Sequence, residues 1–161
     1  MDMLVRLYSL GDIEKFERRI SSQGIKIRRA MAHERDAVVD WVQENFEKER
    51  RAWGGEAAVA FSGTPSRCYI AVKDGAILGF ACHDVTAKGF FGPLGVSEYA
   101  RGNGVGAALL CVSMRSMAAE GYGYSIIGGV AEAGRGFYQN VVGATEIAAS
   151  TPGVYPSKPL I

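Results

Sequence analysis

The segment that most constrains this chain runs from Leu94 to Val112. An apolar strand end, Leu94-Gly95-Val96, leads into a loop with glycines at 102, 104 and 106, and then into Ala107-Ala108-Leu109-Leu110-Cys111-Val112. Val105, Ala108, Leu109 and Val112 fall on one helical face and Gly121 supplies a stop, which predicts a helix from Gly104 to Glu120. Glycines let a backbone come close to a ligand and take up positive φ. The first amides of a helix point outward, without intrahelical partners, at its positive end. Such a junction suits an anion, and a pyrophosphate is the expected guest. Arg101 stands at the mouth of the loop, with two roles open to it: a charged contact to that anion or a surface ion pair.

The elements around this junction alternate between the two periodicities. Ile13, Phe16 and Ile20 lie at helical spacing, with Asp12 as an N-cap and Gly24 as a stop. Ile25-Lys26-Ile27-Arg28 alternates as a strand does, and Val38, Trp41, Val42 and Phe46 recur helically from Glu34 onward. The run Glu47-Lys48-Glu49-Arg50-Arg51 reads as a solvated face, Trp53-Gly54-Gly55 as a loop, and Glu56 to Phe61 as a short helix. Tyr69 to Val72, a turn containing Asp74-Gly75, and Ala76 to Ala81 form a β-hairpin. Phe90 to Val96 is the next strand. Pro93 cannot donate to a ladder there, so a bulge or an unpaired side is expected, leaving backbone groups for a ligand. Tyr124 to Ile127 reads as a strand, Phe137 to Val142 as a helix stopped by Gly143, and Ala144 to Ile147 as a last strand.

At 161 residues and 48% hydrophobic, the chain holds one core and one globular domain. Eighteen Lys and Arg against 17 Asp and Glu leave no basic field for a nucleic acid. Cys68, Cys82 and Cys111 form no CxxC pair, which points to reduced, half-buried packing residues rather than a zinc or redox site. With neither a signal-like start nor a long apolar run, a cytoplasmic protein without a membrane partner is expected.

Three readings compete for the glycine loop. The first is a turn that merely connects a strand to a helix. The second is a dinucleotide fingerprint, since Gly102, Gly104 and Ala107 satisfy G-x-G-x-x-A and Glu120 lies near the distance of a ribose-binding acid. That fingerprint follows directly on the first strand of a parallel βαβ unit. Here five residues intervene, a hairpin precedes, and Glu120 closes a helix. A Walker-type loop fails for lack of Gly-Lys-Ser or Gly-Lys-Thr.

The third reading is a resemblance. Arg101-Gly102-Asn103-Gly104-Val105-Gly106 resembles the R/Q-x-x-G-x-G/A motif of the GCN5-related N-acetyltransferase (GNAT) family. Leu94-Gly95-Val96 is similar to that family's fourth strand and Ala107-Ala108-Leu109-Leu110 to its following helix. Phe137-Tyr138-Gln139-Asn140-Val141-Val142-Gly143-Ala144 is similar to its late F-Y-x-x-x-G-[AF] segment. The resemblance runs roughly from Ile25 to Ile147. It implies an α+β fold: a mixed, mostly antiparallel sheet flanked by helices and splayed open beside the fourth strand. Residues 1–24 would form an N-terminal helical extension to a domain over residues 25–161. That extension is expected either to cap the domain or to build a homodimer.

The resemblance further implies acetyl-coenzyme A as co-substrate, no metal, and a small-molecule or peptide amine as acceptor, attacked directly in a ternary complex. The pantetheine arm would pair with backbone groups of Leu94 and Val96, which face the same way because they are two residues apart. The pyrophosphate would lie on the amides of Arg101, Gly102, Asn103, Gly104, Val105, Gly106 and Ala107. Tyr138 takes the place of the family's general acid for the leaving thiolate; the alternative is a core aromatic whose hydroxyl bonds a backbone group.

The fourth strand, where the family often carries a glutamate, reads Gly89-Phe90-Phe91-Gly92-Pro93 and has no acid. His83, Asp84, Glu132 or a water are the candidate bases, and His33 reads as a surface residue. Gly128-Gly129-Val130-Ala131 stands where the family often has an asparagine. In this fold acceptor choice falls to Glu47–Glu56 and Ala148–Tyr155, whose Trp53 and Tyr155 are candidate pocket walls. A non-catalytic acyl-coenzyme A sensor is the alternative that the missing strand acid leaves open.

Overall fold

The structure is a computed structural model and describes residues 1–157 and 160. Its centre is the hairpin of β3 (Cys68–Lys73) and β4 (Ala76–His83). Asp74 and Gly75 both take positive φ, 50° and 77°, which is the backbone of the tight turn that Asp-Gly favours. A register shift between Ala71 and Val72 leaves Leu78 as an extra residue on β4. Leu78 therefore joins the cluster on one face of the sheet, whereas Phe80 and Cys82 join the other.

Seven strands form one sheet in the order β2-β3-β4-β5-β6-β1-β7. The added strands are β1 (Met3–Arg6), β2 (Lys26–Arg29), β5 (Phe90–Val96), β6 (Tyr124–Ile127) and β7 (Thr145–Glu146). Every neighbouring pair is antiparallel except β5 and β6, which run parallel. The α+β class and the mostly antiparallel sheet are as the sequence implies. Helices α2 (Arg35–Asn45) and α3 (Arg50–Val59) cover one face over Ile70, Phe80 and Cys82. Helices α1 (Glu14–Ser21) and α4 (Val105–Ala119), with α5 (Arg135–Val142), lie on the side of Val5, Ala71 and Ala81. Helix α4 is buried almost all round, so its apolar residues extend beyond a single stripe. It lies close to β4 because Gly79 has no side chain: a Cβ there would meet Leu109 Cδ1 at 3.0 Å and Gly95 O at 2.9 Å.

Three local expectations are corrected. Residues 1–24 hold more than a helix, since β1 pairs with β6 and β7 inside the sheet; only Met3 and Val5 of it are fully buried, too few positions to display a period. Helix α1 is preceded by Ile13 as its N-cap residue, without a side-chain cap, and Asp12 instead pairs with Arg18. Trp53-Gly54-Gly55 is helical within α3. Gly54 is where α3 touches α2, since a Cβ there would sit 2.7 Å from Gln43 Nε2. The three cysteines are buried and unpaired, and burial pushes the Cys111 thiol up to about 12. Among the described residues no helix is long and apolar enough to cross a membrane.

Candidate active site

Strand β5 has two unequal edges. Toward β4 it is paired at Phe91 and from Leu94 to Val96, with a register shift at Gly92 and Pro93, but toward β6 only Phe90 and Phe91 have partners, Ile126 and Ile127. Beyond Phe91 the two strands part, which is the splay expected beside this strand. Ser97 N–H donates to Leu78 O across the β4 side at 2.9 Å. By alternation, the backbone groups of Gly95 also face β4, whereas those of Leu94 and Val96 face the open edge. The Val96 carbonyl accepts a hydrogen bond from Arg101 Nε at 3.2 Å, so Arg101 is folded back over the strand end.

The strand ends against the start of α4. Gly104 takes φ +88° as the N-cap residue, a left-handed conformation that explains the glycine, and no side chain caps the helix. Ala108 N–H is bonded to Gly104 O, which leaves the amides of Val105, Gly106 and Ala107 without intrahelical partners. They form a cradle at the positive end of a 15-residue helix. Helix α1 braces the loop from outside: Arg19 Nη2 donates to Gly102 O at 3.3 Å and Gln23 Nε2 to Asn103 O at 3.0 Å.

Both features open into one cleft of about 930 Å³. Of the residues that sequence reasoning placed here, Leu94, Val96, Arg101, Gly102, Gly104, Val105, Gly106, Ala107 and Tyr138 line it; Asn103 does not. Tyr138 is half-buried on α5, edge-on to Phe137 with ring centroids 5.0 Å apart. Burial pushes its phenol up to about 12, so the hydroxyl keeps its proton throughout the neutral range.

The candidate bases lie elsewhere. His83 is fully buried and its Nδ1 lies 2.9 Å from Asp84 Oδ2, within a polar cluster with Arg67, Glu120 and Tyr122. Burial raises the Asp84 carboxyl, but hydrogen bonds from Gly89 N–H, His83 and Tyr122 outweigh it and hold the group below its ordinary value. Neither residue lines the cleft, and neither does the exposed Glu132. Tyr155 also lies outside it, packed over Gly128, where a Cβ would meet its hydroxyl at 2.5 Å. His33 is exposed.

Sequence reasoning missed Phe16, Arg19 and Phe46, which line the cleft with Glu49 and Trp53 of the Glu47–Glu56 segment. Arg19 and Phe16 come from α1, whose helical pattern was legible but whose docking on the glycine loop was not. Glu49 stood in a charged run that gave no sign of facing inward.

The model of the Acetyltransferase (GNAT) family matches residues 30–143, most of the chain and the whole of this strand-loop-helix site. The chain belongs to the GNAT acetyltransferase family. Membership makes it a protein of an acyl-transfer family, and β1 and α1 lie outside the matched span. No curated protein matches the sequence. Among solved structures, the chain is similar to a fungal multi-domain β-N-acetylglucosaminidase through its region described as a GCN5-related glucosamine N-acetyltransferase. The TM-score there is 0.69 at 15% identity, over 88% of this chain and 19% of that one. It is also similar to a Drosophila protein, with a TM-score of 0.66 at 12% identity over 91% of this chain and 46% of that one. A provisionally assigned acetyltransferase from Pyrococcus horikoshii gives 0.53 at 17% identity, over 73% of this chain and 42% of that one. The GNAT chain thus spans less than half the length of each neighbour, and at these identities the likeness concerns the fold.

Proposed function

We propose that this chain binds acetyl-coenzyme A along the open edge of β5 and transfers its acetyl group to a primary amine within a ternary complex. The observation that carries this reading is a convergence in one cleft: a strand edge with no strand partner at Leu94 and Val96, where Arg101 caps the Val96 carbonyl, the free amides of Val105 to Ala107, and Tyr138. The cleft fits the cofactor's parts in turn. The strand edge offers donors and acceptors to an amide-bearing pantetheine arm, and the α4 start offers amides and a helix dipole to a pyrophosphate. Arg19 and Arg101 add positive charge beside that cradle. Bound there, acetyl-coenzyme A would supply an acetyl group activated as a thioester.

The neutral amine attacks the thioester carbonyl carbon, so that a C–N bond forms and the C–S bond breaks with its electron pair left on sulfur. Tyr138 donates its proton to that sulfur, and the proton shed by the nitrogen restores the phenol through water. Amide and free thiol are the products. Burial keeps the phenol protonated throughout the neutral range, so its proton is present when sulfur gains charge.

Acceptor-dependent release of free thiol from acetyl-coenzyme A by the pure protein tests the reading. Sustained release with any amine is the expected result. Tight binding of acetyl-coenzyme A with no release across amines and peptides would replace the transferase by a non-catalytic sensor.

A further inference from the structure

The cleft is electrically divided. Its cations, Arg19 and Arg101 among the described residues, are tied to the glycine-loop end through Gly102 O and Val96 O. Its carboxylate among those residues, Glu49, comes from a different part of the lining, where α2 turns into α3. Glu49 is exposed, and among the described residues no Arg or Lys lies within ion-pair distance of it. It is the N-cap residue of α3, where the helix dipole favours a negative charge.

The wall around that carboxylate is aromatic. Phe46 N-terminal to it and Trp53 one turn C-terminal to it hold their ring centroids 5.0 Å apart. Glu49 and Trp53 are four residues apart across the helix start, with Trp53 N–H bonded to Glu49 O at 2.8 Å, so the two side chains are neighbours on one face. Phe46 lies directly on β5: a Cβ at Gly95 would come within 2.5 Å of its Cζ, so the missing side chain makes room for the ring. Phe80 backs both rings, at centroid distances of 5.9 Å from Phe46 and 6.1 Å from Trp53. The wall is therefore fixed by packing beneath it, beside the strand edge assigned to the cofactor.

We propose that Phe46, Glu49 and Trp53 form an acceptor subsite selective for cationic amines with an apolar body, of the aryl-alkylamine kind. This rests on the acetyl-transfer reading and deepens it. The acceptor docks as its ammonium against Glu49, with its carbon body on Phe46 and Trp53 and the tryptophan face adding attraction for the cation; the nitrogen then gives one proton to water and attacks as the neutral amine. An acidic peptide meets an unfavourable charge at this wall, and an amino sugar's hydroxyl groups find few partners on it.

The test is steady-state acetylation of 2-phenylethylamine, tryptamine, glucosamine and an aspartyl dipeptide, with calorimetric binding of 2-phenylethylamine to the protein loaded with coenzyme A. The arylalkylamines should exceed the other two in kcat/KM by about tenfold or more, the scale of one apolar and one charged contact. Glu49→Gln should raise the arylalkylamine KM about 2- to 10-fold, the cost of a charged contact partly screened by solvent, while the acetyl-coenzyme A KM stays nearly constant. Glu44→Gln, exposed on α2 and outside the cleft, should change nothing. Preference for glucosamine or the dipeptide, or a Glu49→Gln variant with an unaltered amine KM under sustained turnover, overturns the subsite but leaves the transferase standing. If no amine turns over, the transferase reading fails, and calorimetry still decides the subsite: binding of 2-phenylethylamine weakened by Glu49→Gln supports it, and absent or unaffected binding overturns it.

Discussion

Replacing Tyr138 by phenylalanine removes one oxygen from the cleft and leaves the ring in place. In the structure that oxygen contributes little to folding. Burial is the single cause that raises its phenol to about 12, and among the described residues the hydroxyl has no hydrogen-bond partner to lose. A tyrosine kept for structure would forfeit about 0.5 to 1.5 kcal/mol with one hydrogen bond. At this chain length that corresponds to a fall in Tm of about 1 to 6 °C. The expected change here is smaller, within about 1 °C. As general acid, by contrast, the hydroxyl is worth about 10²- to 10⁴-fold in rate, or about 2.7 to 5.5 kcal/mol of transition-state stabilisation. Tyr138→Phe should therefore lower kcat by that factor while the acetyl-coenzyme A dissociation constant barely moves. The assay is single-turnover acetylation beside calorimetry and thermal melting of the same variant. A normal single-turnover rate would remove Tyr138 from the chemistry, and a large fall in Tm with modest loss of rate would return it to the core.

Gly104→Val places a β-branched residue at φ +88° and its Cβ 3.3 Å from Arg19 Cδ, so the loop must rearrange; acetyl-coenzyme A binding should fall by at least about 100-fold in calorimetry. Unaltered affinity would detach the loop from the cofactor. Asp84 is held below its ordinary value in the folded state, so its contribution to stability is present above about pH 4 and is lost as pH falls through the depressed value. Asp84→Asn should lower stability by about 1 to 3 kcal/mol at pH 7 and flatten the acid limb of urea midpoints between about pH 2 and 5; an acid limb identical to wild type would refute this.

The parts of the site built from local chemistry were legible in the sequence. Gly104 declares itself because a left-handed N-cap before a long apolar helix calls for glycine, and Asp74-Gly75 because the tight hairpin turn needs two positive φ values. Pro93 marked β5 as irregular, and it lies in the register shift between β5 and β4, where Gly92 and Pro93 stand opposite Cys82. What tertiary packing decides was hidden. Gly54 reads as a helix breaker until Gln43 is seen against it. His83 ends a core strand and Asp84 follows it, yet their hydrogen bonds turn them toward Arg67 and Tyr122 and away from the cleft. Glu49 is one of several like residues in a charged run, and only the fold of α2 onto Gly95 brings it to the cleft wall. Strand β1 was missed for a related reason, since two buried side chains carry no readable period and its place is fixed by β6 and β7.

The central claim is that the open edge of β5 and the start of α4 receive acetyl-coenzyme A. It is tested most directly by titrating the purified protein with acetyl-coenzyme A and, separately, with NAD in a calorimeter. One-site binding of acetyl-coenzyme A together with no measurable heat from NAD is the predicted result. Binding of NAD with none of acetyl-coenzyme A would contradict the account and return the glycine loop to the dinucleotide reading.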